Sequence, residues 1–175
     1  VVEQSEKPKE GKVPNLTKLK LKFTVAPDAL PGVREFRVAT PRGVSTIGQL
    51  VIVRDSVIRE ADKNDTPEQA QAITLPATLC GTIEKSEDVD FFKFQVEAGA
   101  SLSFHVRSMR LQDKIHDLQQ HVDPIITLRN AAGTTLASVD NVYFGDPLMA
   151  YQFVEAGEYL LEIRDVRYQG NKYWV

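Results

Sequence analysis

Short apolar or alternating stretches, separated by glycine-containing turns, recur through most of this chain. Turns such as Glu97-Ala98-Gly99 and Glu155-Ala156-Gly157 lie between them. Many short strands joined by regular turns are typical of a β-sandwich. The sequence therefore predicts an all-β fold, and within its larger part we expect strands over residues 72–75, 79–84, 90–96, 101–108, 125–129, 135–139, 148–153, 159–165 and from 173 onward.

The block before residue 57 also has strand patterns, but fewer of them. Residues 19–25 alternate apolar side chains with lysine and threonine, and 33–39 and 44–53 follow after turn-rich segments. Three antiparallel strands bury too little apolar surface to be stable by themselves. We interpret residues 13–56 as a partial immunoglobulin-like β unit whose first strands lie upstream, and residues 1–12 as a polar, flexible lead-in.

Composition excludes two classes of partner. Lysine and arginine number 21 against 24 aspartates and glutamates, a net charge of −3, so the basic surface of a nucleic-acid-binding protein is not expected. No apolar run approaches the roughly 20 residues of a membrane span. The single cysteine, Cys80, excludes an internal disulfide and is interpreted as a small buried apolar residue.

Two acidic segments flank the first strands of the larger part. Six residues from Glu60 to Asp65 hold four oxygen-bearing side chains, and a second cluster opens the aromatic strand that begins at Asp90. Ca²⁺ takes six to eight oxygen ligands from flexible backbone. We therefore predict a calcium site made by Glu60, Asp62, Asn64, Asp65, Glu87, Asp88 and Asp90. The alternative is a solvated linker whose aspartates and asparagine cap turns.

Several short motifs in a fixed order extend this interpretation. They are residues 60–73, Gly81-Thr82-Ile83, 88–94, 97–99, 123–128, 132–133, 157–160 and 163–168. In this order they resemble the bacterial pre-peptidase C-terminal domain, over residues 57–175. The preceding block resembles the end of the immunoglobulin-like unit found before this module in large planctomycete-type secreted proteins.

The resemblance implies a jelly-roll-like β-sandwich with an accessory, non-catalytic function in a secreted, periplasmic or cell-surface protein. Its partners would be an extracellular polysaccharide or protein, or neighbouring domains of the same chain. A related module, the collagen-binding domain of clostridial collagenases, binds calcium through an acidic linker and an aspartate-bearing loop. The collagen-contacting aromatic residues of that relative have no clear counterpart here, so collagen binding is not expected.

The calcium positions of that relative can be matched to this sequence individually. The linker positions are occupied by Glu60, Asp62, Asn64 and Asp65, and the loop positions by Glu87 and Asp90. Asp62 stands where a glutamate is usual, which shortens its reach by one methylene group. Asp88 is an additional acid that could replace Glu87 as a ligand.

An exposed aromatic surface is the second candidate site. Sandwich domains that bind carbohydrates use aromatic side chains as platforms for sugar rings, and the candidates here are Tyr143, Phe144, Tyr168 and Trp174. The alternative is that these side chains pack in the core or at sheet edges.

Two further functions are weighed against a binding module. A hydrolytic or transition-metal site could use His116, Asp117, His121 and Asp123, within a segment predicted as a short helix or ordered loop. Histidines five residues apart share a helix face less well than those three or four apart, which disfavours this enzyme alternative. His105 is interpreted as structural. The other alternative is a purely structural spacer between neighbouring domains.

Overall fold

The structure, a computed structural model, describes residues 2–4, 19–41, 43–110, 122–143, 145–170 and 173–174 of the 175-residue chain. It divides into two compact units, residues 1–30 and 31–175. In the first unit, strands β1 (Val2–Gln4) and β2 (Leu19–Leu21) pair antiparallel. The predicted strand from residue 19 is therefore present, although it is shorter than its alternating pattern.

The second unit is built from strands and one 3-10 turn, Pro67–Gln69, at the position where Thr66-Pro67 predicted a helical turn. Its strands are β3 (Gly32–Phe36), β4 (Ala39–Thr40), β5 (Gly43–Val44), β6 (Gly48–Ile52), β7 (Ser56–Arg59), β8 (Gln71–Ala72), β9 (Ala77–Cys80), β10 (Thr82–Ile83), β11 (Val89–Val96), β12 (Ser101–His105), β13 (Pro124–Asn130), β14 (Thr135–Val139), β15 (Leu148–Gln152), β16 (Gly157–Asp165) and β17 (Tyr173–Trp174). Over the described residues, no helix has the length and apolar character needed to span a bilayer. The predicted all-β fold class is confirmed.

A five-stranded sheet in the order β14-β13-β16-β11-β8 forms the main layer. Its centre is the long antiparallel pair β11–β16, which runs in register from Val89 opposite Arg164 to Val96 opposite Gly157. β13 pairs antiparallel with the other edge of β16, whereas β8 pairs parallel with β11.

A smaller sheet, the antiparallel pair β12–β15, supplies the second layer. The main core cluster combines inward side chains of the large sheet with Met149 of β15 and with Val106 and Phe153, which directly follow β12 and β15. Phe153 lies edge-on to Tyr159 of β16, with ring centroids 4.6 Å apart. Two sheets that bury a shared apolar interior make this part of the chain a β-sandwich.

Strand periodicity places one acidic residue on the inner face of the sandwich. Successive side chains of a strand point to opposite faces, so Asp90 lies on the same face as Phe92 and Phe94. Both phenylalanines belong to the core cluster, and Asp90 stands at the start of β11, where that core ends. The consequence is a carboxyl group that is only 5% exposed.

The strands before the acidic loop differ from the predicted ones in two ways. The predicted strand 44–53 is divided into β5 and β6, because the Ser45 hydroxyl accepts from the Val38 N–H at 2.9 Å and donates to the Thr46 carbonyl, which turns the chain. Residues 56–59, predicted as part of a connector, form β7, which pairs parallel with β9. The domain boundaries after residues 12 and 56, and the immunoglobulin-like identity of this block, stay predictions.

Candidate functional site

The two acidic segments meet where β7 ends beside β9 and β10. The Glu60 N–H donates to the Cys80 carbonyl at 3.0 Å, which extends the strand pairing by one residue. Glu60 Oε2 then accepts from the Thr82 N–H at 2.7 Å. Gly81 allows this, because a Cβ at that position would collide with the Glu60 carboxylate. The glycine of the Gly81-Thr82-Ile83 motif therefore leaves the space in which the Glu60 carboxylate lies against the Thr82 amide.

Asp90 is the buried member of this cluster. Burial raises the pKa of Asp90 to about 9, with further contributions from its hydrogen bond to the Glu60 side chain and from the charges of Glu60, Asp88 and Asp65. A carboxyl group with this pKa holds its proton at neutral pH unless a cation replaces it. The protonated Asp90 carboxyl then donates a hydrogen bond to the Glu60 carboxylate.

A lysine partly neutralises the remaining acids. Asp88 is 5% exposed, and its Oδ2 accepts from the Glu84 N–H at 2.6 Å. The exposed Lys85 Nζ lies 3.0 Å from Asp65 Oδ2 and 3.7 Å from Asp88 Oδ1. The hydrogen bond to Asp65, and then the charges of Asp65 and Asp88, raise the pKa of Lys85. Lys85 thus joins the acidic loop to the segment before β11.

Asn64 fixes the acidic loop against the sandwich. It is 1% exposed, and its carbonyl accepts from the Phe91 N–H at 2.8 Å, one residue from Asp90. Its buried Nδ2 has no hydrogen-bond acceptor among the described residues. No acceptor therefore fixes which end of the Asn64 side-chain amide lies at this buried position. If the amide is rotated by half a turn, Oδ1 takes the place of Nδ2, and an amide oxygen is a ligand that calcium binds.

The structure does not bring all of the predicted ligands together. Glu60, Asp65, Asp88 and Asp90 interact electrostatically in one cluster, with Asn64 bonded beside it. Asp62 and Glu87, in contrast, are exposed, and neither side chain has a hydrogen bond or ion pair within the described part of the chain. Glu87 instead adopts a positive φ of 63°, and its N–H donates to the Tyr168 carbonyl.

In their present contacts the acids do not form a preassembled metal site. Within the described ranges, no group of three or more histidine, cysteine, aspartate or glutamate side chains is arranged to hold an ion. Glu60, Asp88 and Asp65 each have another partner: the Thr82 amide, the Glu84 amide and the Lys85 ammonium, respectively. The oxygen-only donor set nevertheless fits a hard cation such as Ca²⁺ rather than a transition metal.

A second buried carboxylate, not predicted from the sequence, organises a different part of the surface. Asp146 has no exposed surface, and it accepts from the Ser108 N–H at 3.0 Å, the Met109 N–H at 2.9 Å and Arg110 Nε at 2.7 Å. Arg110 Nη2 also approaches His105 Nε2 at 2.7 Å. Since 36 residues separate Arg110 from Asp146, no local sequence signal indicated this pairing.

The aromatic candidates have different surroundings. Tyr143 is 45% exposed and Tyr168 is 46% exposed, and a guanidinium lies over each ring: that of Arg110 at 4.9 Å and that of Arg164 at 4.2 Å. Phe144 lies outside the described residues. Trp174 is placed in β17 opposite Thr82, and its side chain is not described. Their role in binding stays a prediction.

The alternative hydrolytic site has one described member. His116, Asp117 and His121 lie outside the described residues, as does the predicted helix or loop that contains them. The Asp123 N–H donates to Asp165 Oδ2 at 2.8 Å, at the start of β13. This bond holds the residue before β13 against the end of β16.

Comparisons with known proteins find similarity to solved structures. No family model matches the sequence, and no curated protein matches it. The structure of the pre-peptidase C-terminal domain of a collagenase from Bacillus anthracis is similar to this chain with a TM-score of 0.48 and 16% identity, over 63% of this chain and 96% of that one. A domain of this kind is also what the motif order in residues 57–175 predicts.

Proposed function

We propose that residues 57–175 form a non-catalytic accessory module of a secreted or surface multidomain protein, stabilised by Ca²⁺ and binding an extracellular polysaccharide or protein. The supporting observation is the convergence of Glu60, Asp88 and Asp90, from separate segments, at the buried end of the sandwich core. Acidic side chains that only cap turns in a linker have no reason to be buried together.

Electrostatics explains why a cation fits this place. Carboxylates that share a buried site repel each other, and burial further disfavours their charged forms. A bound divalent cation supplies the compensating charge and relieves both costs. The residues that would hold it are Glu60, Asp88 and Asp90, with Asp65 and the Asn64 amide oxygen from the acidic loop.

Other positive groups compete with the cation for these oxygens. Lys85 is bonded to Asp65, and the proton of Asp90 is shared with Glu60. Calcium binding therefore has to displace that proton and draw Asp65 from the lysine. Because the site exists only in the folded chain, the binding free energy adds to the stability of the fold.

The calcium proposal is tested by thermal unfolding with EDTA or with excess calcium. At a calcium concentration about tenfold above its Kd, linkage predicts about 1.4 kcal/mol of added stability, a rise in Tm of roughly 3–5 °C for a chain of this size. Mg²⁺ at the same concentration should give a smaller rise, because it dehydrates reluctantly and demands octahedral geometry.

Matched variants separate site binding from general screening of charge. Asp90→Ala removes a buried acid of the cluster, and Asp62→Ala removes an exposed acid of the adjoining loop. The calcium response should disappear in Asp90→Ala and persist in Asp62→Ala. An identical Tm in EDTA and in calcium for the wild-type chain would reject the calcium site.

A purely structural spacer is the alternative that one observation favours. The parallel pairing of β7 with β9 joins the segment before the acidic loop directly to the sandwich, which suits a module that transmits position between neighbours. An array of extracellular glycans and matrix proteins distinguishes the two functions. Binding to any of them supports recognition, and the lack of any binding favours the spacer.

A further inference from the structure

The side chains of His105, Arg110 and Tyr143 form a surface platform that is positioned by Asp146. The Tyr143 N–H donates to the Asp146 carbonyl, and the Asp146 N–H donates to the Tyr143 carbonyl, both at 2.9 Å. The turn between them needs Gly145, whose φ is +98° and where a Cβ would lie 3.1 Å from Met109 Cε. The tyrosine is therefore positioned by the same residue that anchors the Ser108–Arg110 segment.

Arg110 is fixed in orientation on this platform. Its Nε donates to Asp146 at 2.7 Å, and its Nη2 lies 2.9 Å from the Val106 carbonyl and 2.7 Å from His105 Nε2. Its Nη1 has no hydrogen-bond partner among the described residues. A guanidinium already ordered by its other nitrogens loses little further freedom when it binds a ligand through the remaining one.

His105 adds a second donor of defined position. A guanidinium has no lone pair with which to accept a hydrogen bond, so Nε2 of His105 is the acceptor and the ring proton is on Nδ1. Burial, and then the charges of Arg110 and Arg107, lower the pKa of His105, which keeps this neutral tautomer. The His105 ring lies beside that of Tyr143, with centroids 6.0 Å apart.

We propose that His105, Arg110 and Tyr143 form a binding site for a carboxylated sugar, a uronate residue of an acidic polysaccharide. The exposed part of the Tyr143 ring, beside the face that the Arg110 guanidinium covers at 4.9 Å, offers apolar surface to a pyranose. Arg110 Nη1 and His105 Nδ1 offer hydrogen-bond donors to its carboxylate. This inference rests on the proposed recognition function and gives it a site and a ligand class.

Charge complementarity favours an anionic sugar over a neutral one. The side chains of the platform offer donors and no carboxylate acceptor, because the only acid in direct contact with Arg110 among the described residues, Asp146, is fully buried and engaged by it. Arg107 adds a second positive charge close enough to affect His105. A neutral sugar would leave this excess of donors less well matched, whereas a carboxylate accepts charge-assisted hydrogen bonds.

The other exposed tyrosine lacks these features and serves as a control. Arg164, which lies over Tyr168, donates through Nε to Glu162 at 3.3 Å and through Nη1 to the Asp165 carbonyl at 3.0 Å. Glu162 is also bound by Arg129. Among the described residues no histidine ring lies beside Tyr168, so the second donor of the Tyr143 surface is lacking there.

The test is calorimetric titration of the whole chain with oligogalacturonate and, as a matched neutral probe, methyl-esterified oligogalacturonate, which keeps the same rings and linkages without the negative charge. Oligomers of glucuronate, mannuronate and guluronate complete the acidic panel. We expect at least one acidic oligomer to bind about tenfold more tightly than its neutral counterpart, and Tyr143→Ala to weaken it about tenfold. Tyr143→Phe should retain binding, and Tyr168→Ala should leave it unchanged.

The outcomes distinguish the site from the general function. If no acidic oligomer binds, or if Tyr143→Ala binds as tightly as the wild-type chain, the uronate site is rejected. Binding of another glycan or a matrix protein in the same experiments would then still support the accessory recognition function. Titrations in EDTA and in calcium show whether the platform depends on the acidic cluster, and circular dichroism confirms that each variant is folded.

Discussion

Asp90 and Asp146 are buried to a similar degree in one sandwich, yet their surroundings are opposite. Asp146 accepts backbone amides and a guanidinium, whereas Asp90 faces Glu60 and lies near Asp88. Burial, followed by the hydrogen bond to Glu60 and the charges of the neighbouring acids, raises the pKa of Asp90 to about 9. A buried carboxylate is stable where donors surround it, and where acids surround it a proton or a cation is needed.

This contrast separates structural acids from a candidate functional one. Asp165 follows the pattern of Asp146, since it is 1% exposed and accepts from the N–H groups of Asp123, Arg167 and Gln169. Both organise a turn without any added ligand. Within the described part of the chain, Asp90 instead lies buried among other acids, an electrostatic arrangement that is characteristic of functional sites.

The strongest test of the contrast is removal of Asp146. Asp146→Ala leaves Arg110 and the amides of Ser108 and Met109 without their buried acceptor, so we expect a loss of about 3–5 kcal/mol in the free energy of unfolding. Urea unfolding measures it, with Asp62→Ala as an exposed control. A loss no larger than that of the control would contradict the structural role of Asp146.

The opposite sign is expected at Asp90. In the absence of calcium at about neutral pH, Asp90→Asn should raise the free energy of unfolding by about 1–2 kcal/mol, because the amide keeps a donor towards Glu60 without the cost of holding a proton. The same variant should lose its response to calcium. Urea unfolding in EDTA and in calcium measures the stability change and the calcium response. If Asp90→Asn lowers the free energy of unfolding in EDTA, the charged Asp90 carboxylate is favourable in the fold without calcium.

The pH dependence of stability provides an independent test of Asp90. In the unfolded chain this carboxyl loses its proton near pH 4, whereas in the fold it keeps it up to about pH 9. The folded state thus binds the extra proton between these values, so stability should fall as pH rises through this window, by at most about 1.4 kcal/mol per pH unit from this group.

Unfolding in EDTA at about pH 6 and about pH 8 measures the fall, and subtraction of the Asp90→Asn profile isolates the contribution of Asp90. A difference profile that does not fall between the two values would mean that the cluster does not retain the proton.

The smallest expected effect concerns the edge of the acidic cluster. Glu87 has a positive φ, which glycine adopts without strain, so Glu87→Gly should change the free energy of unfolding by less than about 1 kcal/mol. Because the Glu87 side chain is exposed, the calcium response should persist. Its loss in Glu87→Gly would make Glu87 a ligand, as the resemblance implied, and would move the site outward from Asp90.

Sequence patterns predicted the sandwich strands well because the sequence contains both alternating or apolar stretches and the turn residues that separate them. The predicted strand 90–96 is observed as Val89–Val96, and the predicted strand 159–165 as Gly157–Asp165. The predictions of the strands before residue 60 were less accurate. The Ser45 hydroxyl interrupts an alternating pattern, and β7 has too few residues to show an alternation of apolar and polar side chains. Such short elements depend on their pairing partner, which a local pattern does not contain.

The candidate site shows a similar division. The meeting of the two acidic loops was predicted from residue types and from the family resemblance, and Glu60 and Asp90 are in contact. The exposed positions of Asp62 and Glu87 depend on the paths of their loops, which the residue types alone do not determine. Asp146 was overlooked because the donors it binds lie 36 to 38 residues away in the chain.

The parallel pairing of β7 with β9 also has a mechanical consequence. Tension arriving through the chain before Ser56 pulls β7 along its own axis, so the hydrogen bonds to β9 are loaded together in shear instead of being opened one after another. Glu60 continues that pairing through its bond to Cys80. The β7–β9 pair, which adjoins the acidic cluster, therefore carries a load applied to the upstream chain. Ion binding at the cluster would change the force at which the module unfolds.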